Sequence, residues 1–161
     1  MTSRRLFFAL WPDDGERDAL LAASAPLRAT LGGRAVPRAN LHLTLRFLGE
    51  VTADEERAQR AWADTVRHEP IDLRFDRLEW WARPRVLVAA PSVEESVREI
   101  CPDIKSFRAH VTLVREVPPP PRPSKDWPMS PVTWHCDRFV LVESHGGASY
   151  SIVGEWPLYK R

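Results

Sequence analysis

Cysteine is nearly absent. Cys101 and Cys136 stand alone in 161 residues, with no Cys-x-x-Cys pair, which excludes a disulfide framework or a structural zinc knuckle and suits a reducing compartment. Long apolar runs are missing too: the stretch Leu6 to Trp11 is too short for a signal core or a bilayer span. With no lipidation motif either, a cytoplasmic protein without membrane contact is expected. Neither charge sign dominates, because 23 Lys and Arg against 22 Asp and Glu leave a formal +1. That balance argues against a protein that grips long duplex nucleic acid and leaves room for a local basic cleft. The chain also lacks a Gly-x-x-x-x-Gly-Lys loop, a Gly-x-Gly-x-x-Gly fingerprint and a Gly-x-Ser-x-Gly elbow, so nothing points to a nucleotide-cradling P-loop, a dinucleotide fold or a serine hydrolase. What remains is globular, 43% hydrophobic with seven Trp, and of a length for one two-lobed domain over residues 1–161.

Against that background one phrase is written twice. His42-Leu43-Thr44-Leu45 returns 68 residues later as His110-Val111-Thr112-Leu113. Each copy lies in an apolar run and reads as a strand that turns His and Thr to one face and the aliphatic residues to the other. Five His and seven Thr in the chain lead to roughly 0.2 His-x-Thr triplets by chance. A duplicated functional element is the better reading than two satisfied core histidines.

The rest of the chain supplies a frame. The N-terminal stretch from Met1 to Pro12 is read as holding strand one. A helix is predicted from Asp13 to Leu31, its acidic start favoured by the helix dipole and its end marked by Gly32-Gly33. Thr52-Ala53-Asp54-Glu55 opens a second helix toward Arg67, and Ser92-Val93-Glu94-Glu95 a third that Cys101-Pro102 cuts short. Strands are predicted at Leu41–Leu48, Ile71–Leu78, Arg85–Ala90, Phe107–Val114, Val132–Glu143 and Ser149–Trp156, with a turn at His145-Gly146-Gly147. The proline-dense stretch 118–131 reads as a stiff surface connector. Without regular βαβ alternation the class is α+β. The expectation is a bilobal, pseudo-symmetric fold with two antiparallel β-sheets flanking a central cleft, helices outside and one His-x-Thr strand in each lobe.

Two imidazoles facing one cleft supply an acid and a base at the same pH. In-line displacement at phosphorus needs them on opposite walls. Each Thr hydroxyl shares a face with its His and can donate to a non-bridging phosphate oxygen. A two-His metal site needs further donors, and no carboxylate or Cys follows either motif at a regular offset. Metal-free chemistry without a cofactor is expected.

The two motifs resemble the paired His-x-Thr-x signatures of the two-histidine phosphoesterase superfamily. With Arg5-Leu6-Phe7-Phe8-Ala9-Leu10, Asn40-Leu41-His42-Leu43-Thr44-Leu45-Arg46-Phe47-Leu48-Gly49-Glu50-Val51 and His110-Val111-Thr112-Leu113-Val114-Arg115, the chain is similar over nearly its whole length to the bacterial and archaeal RNA 2′,3′-cyclic phosphodiesterases, historically called 2′-5′ RNA ligases. The resemblance implies hydrolysis of a terminal 2′,3′-cyclic phosphate to a 2′-phosphate, with His42 as proton donor, His110 as proton acceptor and Thr44 and Thr112 on the phosphate. The sequence itself does not say which His is which. Alternatives are ATP-independent 2′-5′ ligation by the reverse chemistry and an RNA-end binding module without turnover. The expected partners are RNA ends or small cyclic nucleotides, met by a monomer. The chain departs from the family pattern at Ala109, where a Pro is usual, and in the short helix 92–100.

Further candidates follow from strand parity. Arg46 shares the face of His42 and Thr44 and is a phosphate-binding candidate. Arg115 fits the family position, but alternation sets it opposite Thr112, so it needs a bulge to reach the ligand. Phe7 and Phe107 are candidates for stacking on a base.

Overall fold

Every strand ladder in the computed structural model, which describes residues 3–102, 107–124, 126–146 and 149–159, is antiparallel. The chain runs β1 (Arg4–Leu10), α1 (Asp14–Arg28), β2 (Arg34–Ala35), a 3₁₀ turn (Arg38–Asn40), β3 (Leu43–Val51), α2 (Ala53–Thr65), β4 (Ile71–Trp81), β5 (Val86–Pro91), α3 (Glu95–Ile100), β6 (Val111–Arg115), β7 (Trp127–Cys136), β8 (Arg138–Ser144) and β9 (Tyr150–Pro157). Spatially the order is β7-β4-β5-β6-β3-β1-β8-β9, with β2 beside β6. The α+β class is as expected, but in place of two separate sheets the strands form one nine-stranded sheet, because its two halves are joined at a seam where β3 and β6 touch through one ladder pair, Leu43 with Val111.

That seam brings the two motifs together. Leu43 and Val111 are fully buried, so the residues flanking them turn to the opposite face. Antiparallel pairing then sets His42 and Thr112 on one side of the pair and Thr44 and His110 on the other.

Helix caps follow the local chemistry, with one correction. Asp13 and Glu16 form a reciprocal capping box at α1, and the Thr52 side chain accepts from the Glu55 N–H at α2. Ser92 caps nothing. Its N–H and hydroxyl both go to the Arg74 carbonyl, so the chain is still held by β4, and α3 starts only after Glu94. The predicted strand Val132–Glu143 is likewise two strands broken at Asp137, because β7 pairs β4 in one lobe while β8 pairs β1 in the other. β7 also takes up Pro128 and Pro131 from the stretch read as a connector. An edge strand tolerates the missing N–H groups, and the ladder slips there between Phe75 and Arg77. In the predicted turn after β8, Gly147 lies outside the described residues. No helix among the described residues is long and apolar enough to cross a membrane.

Candidate active site

A cleft of about 430 Å³ opens at the seam, lined by His42, Thr44, His110 and Thr112 together with Arg34, Arg83, Arg115, Trp81 and Tyr150. The two histidines are held the same way. The Nδ1–H of His42 donates to the Asn40 carbonyl at 2.7 Å, and that of His110 to the Arg108 carbonyl at 2.8 Å. Each ring is thus pinned by the carbonyl two residues before it, which fixes the tautomer and leaves Nε2 for the cleft. At His42 this nitrogen lies 3.0 Å from the Thr44 hydroxyl.

Their surroundings are aromatic. Trp11 stacks on His42 at 5.4 Å, with Phe7 at 4.9 Å and Tyr150 edge-on at 5.6 Å. Burial in this box pulls the imidazole from 6.5 down to about 4; the bond to Asn40 opposes the shift, and the charges of Arg115, His110 and Arg17 add to it. His110 packs against Trp81 at 4.4 Å. Its pKa is lowered as well, by burial first and by Arg108 and Arg115, against the bond to the Arg108 carbonyl and the charge of Glu79. Both shifts favour the neutral imidazole in the free protein.

Arg115 reaches the cleft because of a bulge. Leu87 pairs with Val114 and Val88 with Thr112, which makes Leu113 an extra residue on β6. Leu113 and Val114 both enter the core, and the next side chain, Arg115, returns to the face of Thr112. β3 carries the matching device. Phe8 pairs with Arg46 and Ala9 with Thr44, so Leu45 is extra. Here the bulge overturns the expectation for Arg46, which turns with Leu45 to the helix side, where its guanidinium lies 4.1 Å over Trp62 and donates to Gln59 at 3.2 Å. The cleft-face position goes to Phe47. This side chain pairs across the ladder with Phe7, is 60% exposed and carries the Arg5 guanidinium 5.3 Å over its ring. His-x-Thr-x-x-Phe in one lobe and His-x-Thr-x-x-Arg in the other are therefore structural counterparts.

Two stacking candidates are also corrected. Phe7 is buried and packs its ring, tilted, against the His42 imidazole instead of offering a face to a base. Phe107 is half-buried against the hydrophobic core and does not line the cleft. Sequence reasoning missed Trp11, Trp81, Tyr150, Arg34, Arg83 and Phe47. Only Phe47 had a readable signal, its place three residues after Thr44 matching Arg115 after Thr112. Gly33 helps set Arg34 beside Arg115: its φ is +110°, and an added Cβ would stand 2.6 Å from the Arg115 carbonyl oxygen.

Ala109, where Pro is usual in the resemblance, has its own anchor. Its N–H donates to the Glu94 carboxylate at 2.9 Å. That bond and Arg98 hold Glu94 below its ordinary range although burial pushes the other way. The bond ties α3 to the entry of β6, one residue before His110. Glu94→Ala leaves a buried N–H unpaired and lowers stability by about 1–3 kcal/mol, whereas Glu94→Gln keeps an acceptor and most of the stability. Urea unfolding of the three proteins checks this.

Comparison with known proteins bears on the same features. Residues 10–88 match the family model described as LigT like Phosphoesterase. The chain is 28% identical to the RNA 2′,3′-cyclic phosphodiesterase of Escherichia coli K12, over 96% of this chain and 97% of that one, and 29% identical to the protein of the same name from Thermus thermophilus, over 96% and 90%. Among solved structures, E. coli LigT complexed with 3′-AMP superposes with a TM-score of 0.82 at 26% identity, covering 99% of this chain and all of that one; its complex with ATP gives 0.79 at 28% with the same coverage.

Proposed function

We propose that the chain is a two-histidine phosphoesterase, specifically a phosphodiesterase that opens the 2′,3′-cyclic phosphate at an RNA end to leave a 2′-phosphate. The observation that carries this is the pair of imidazoles, each pinned through Nδ1 and facing one cleft with Arg115 and two Thr hydroxyls. The relatives named RNA 2′,3′-cyclic phosphodiesterase support the substrate class.

Roles follow from where the nucleoside sits. Phe47 offers an exposed ring on the His42 side, and a terminal base stacked there keeps its ribose on that side. The leaving 3′ oxygen stays on the ribose, so His42 is the acid that protonates it. In-line attack brings water from the other wall, where His110 takes its proton. The new P–O bond forms as the P–O3′ bond breaks, and the phosphate stays on O2′. Thr44, Thr112 and Arg115 hold the non-bridging oxygens while their charge grows.

The pH dependence follows from the free enzyme. The reaction needs one proton on the histidine pair. Below both pKa values the pair holds two protons and above both it holds none, so the working form is populated between them. With His42 near 4 and His110 below 6.5, kcat/KM peaks on the acid side of 6.5 and falls as pH rises through neutrality. A kcat/KM profile on a cyclic-phosphate substrate checks this; a plateau extending well above neutrality contradicts it.

The testing experiment is turnover of a short RNA ending in a 2′,3′-cyclic phosphate, with and without chelator and with a 5′-hydroxyl RNA present. Chelator-resistant release of a 2′-phosphate end supports the hydrolase. A joined 2′-5′ product supports the ligation direction, and binding without turnover supports an RNA-end module.

A further inference from the structure

A second cavity, of about 510 Å³, lies against the catalytic cleft and is lined by Trp80, Trp81, Ala82, Arg83, Arg108, Pro123 and Ser124. Trp81 and Arg83 line both spaces, so Trp81 is the wall between them. On one side it packs against His110, and the Arg108 guanidinium lies 4.6 Å over its ring. This wall is braced from below. Glu79, 2% exposed, accepts from the Arg108 guanidinium at 3.1 Å and from the Trp81 indole N–H at 3.3 Å. A buried carboxylate spent on fixing two rim side chains makes a pre-organised surface, and the outward face of Arg108, whose side chain is 51% exposed, is left open.

Charge points the same way. A terminal cyclic phosphate carries one negative charge, and Thr44, Thr112 and Arg115 already serve it. Arg83 is a further guanidinium at the junction of the two cavities, exposed and with no hydrogen-bond or ion-pair partner among the described residues. The next negative charge along an RNA is the phosphodiester that joins the terminal nucleotide to the one before it. Arginine planes and aromatic rings are also the surfaces on which unpaired RNA bases stack.

We propose that the cavity beyond Trp81 is the subsite for the penultimate nucleotide of the RNA, with Arg83 on the connecting phosphodiester and the base against Arg108. This rests on the phosphodiesterase reading and specifies its substrate: the enzyme selects a polynucleotide end over a free cyclic mononucleotide.

The test compares kcat/KM for a dinucleotide ending in a 2′,3′-cyclic phosphate with that for the corresponding mononucleoside 2′,3′-cyclic phosphate. The expected ratio in the wild type is roughly tenfold or more in favour of the dinucleotide, the size of one stacked base. Arg108→Ala brings the ratio close to one. So does Pro123→Glu, which sets a carboxylate on the exposed rim and does not disturb Glu79. Because the readout is a ratio within one protein, a general loss of folded enzyme cancels. A wild-type ratio near one, or a ratio that survives in both variants, overturns the subsite. Failure of the wild type to open either substrate overturns the phosphodiesterase reading instead.

Discussion

His110→Ala lowers kcat on an RNA 2′,3′-cyclic phosphate by about 10²–10⁴-fold, the range expected when a positioned base is removed. His42→Ala does the same from the other wall. The two losses have different structural side effects. His42 is enclosed by Phe7, Trp11 and Tyr150, so its removal also leaves a void in an aromatic box, while among the described residues His110 has one ring neighbour, Trp81. For that reason His110→Ala is the cleaner variant. Acid and base act in one transition state, so the double variant is little worse than either single one. Single-turnover rates for the four proteins, with circular dichroism as the folding check, measure this. Losses that multiply in the double variant would mean that the two rings serve separate steps.

Arg115→Ala lowers kcat/KM by about 10²–10³-fold, as when one preorganised donor to a developing charge is lost. Arg115→Lys recovers only part of this, because an ammonium supplies charge without the two-pronged geometry. The same substitution of Arg46, equally close to its motif in sequence, leaves kcat/KM within about twofold, because that guanidinium spends itself on Trp62 and Gln59 away from the cleft. Steady-state kinetics on the three variants separates the two arginines. Equal losses would mean that both reach the phosphate.

The contrast between these arginines shows how much of the site was legible in the chain. Period-two alternation correctly sets His42 with Thr44 and His110 with Thr112, because Leu43 and Val111 between them are fully buried. Alternation fails one step later in both lobes and for one cause. A bulge at Leu45 and another at Leu113 each insert an unpaired residue, which moves Arg46 off the cleft face and Arg115 onto it. Bulges belong to the pairing of two strands, and a single strand's sequence does not display them. The aromatic walls were hidden for a related reason: Trp11, Trp81 and Tyr150 come from three separate strand ends, which only the sheet order brings together. The break at Asp137 was missed because no Gly or Pro marks it in Cys136-Asp137-Arg138, although its two sides pair in opposite halves of the sheet.

The most direct test of two-histidine hydrolysis across one cleft is the position and oxygen content of the product phosphate. Turnover of an RNA 2′,3′-cyclic phosphate in ¹⁸O-labelled water, read by ³¹P NMR and mass spectrometry, is predicted to give a 2′-phosphate carrying a single ¹⁸O. That result requires the P–O3′ bond to break and one water oxygen to enter the phosphate, the outcome of acid–base catalysis across the cleft. A 3′-phosphate, or tight binding of the cyclic end with no label incorporated, would contradict it.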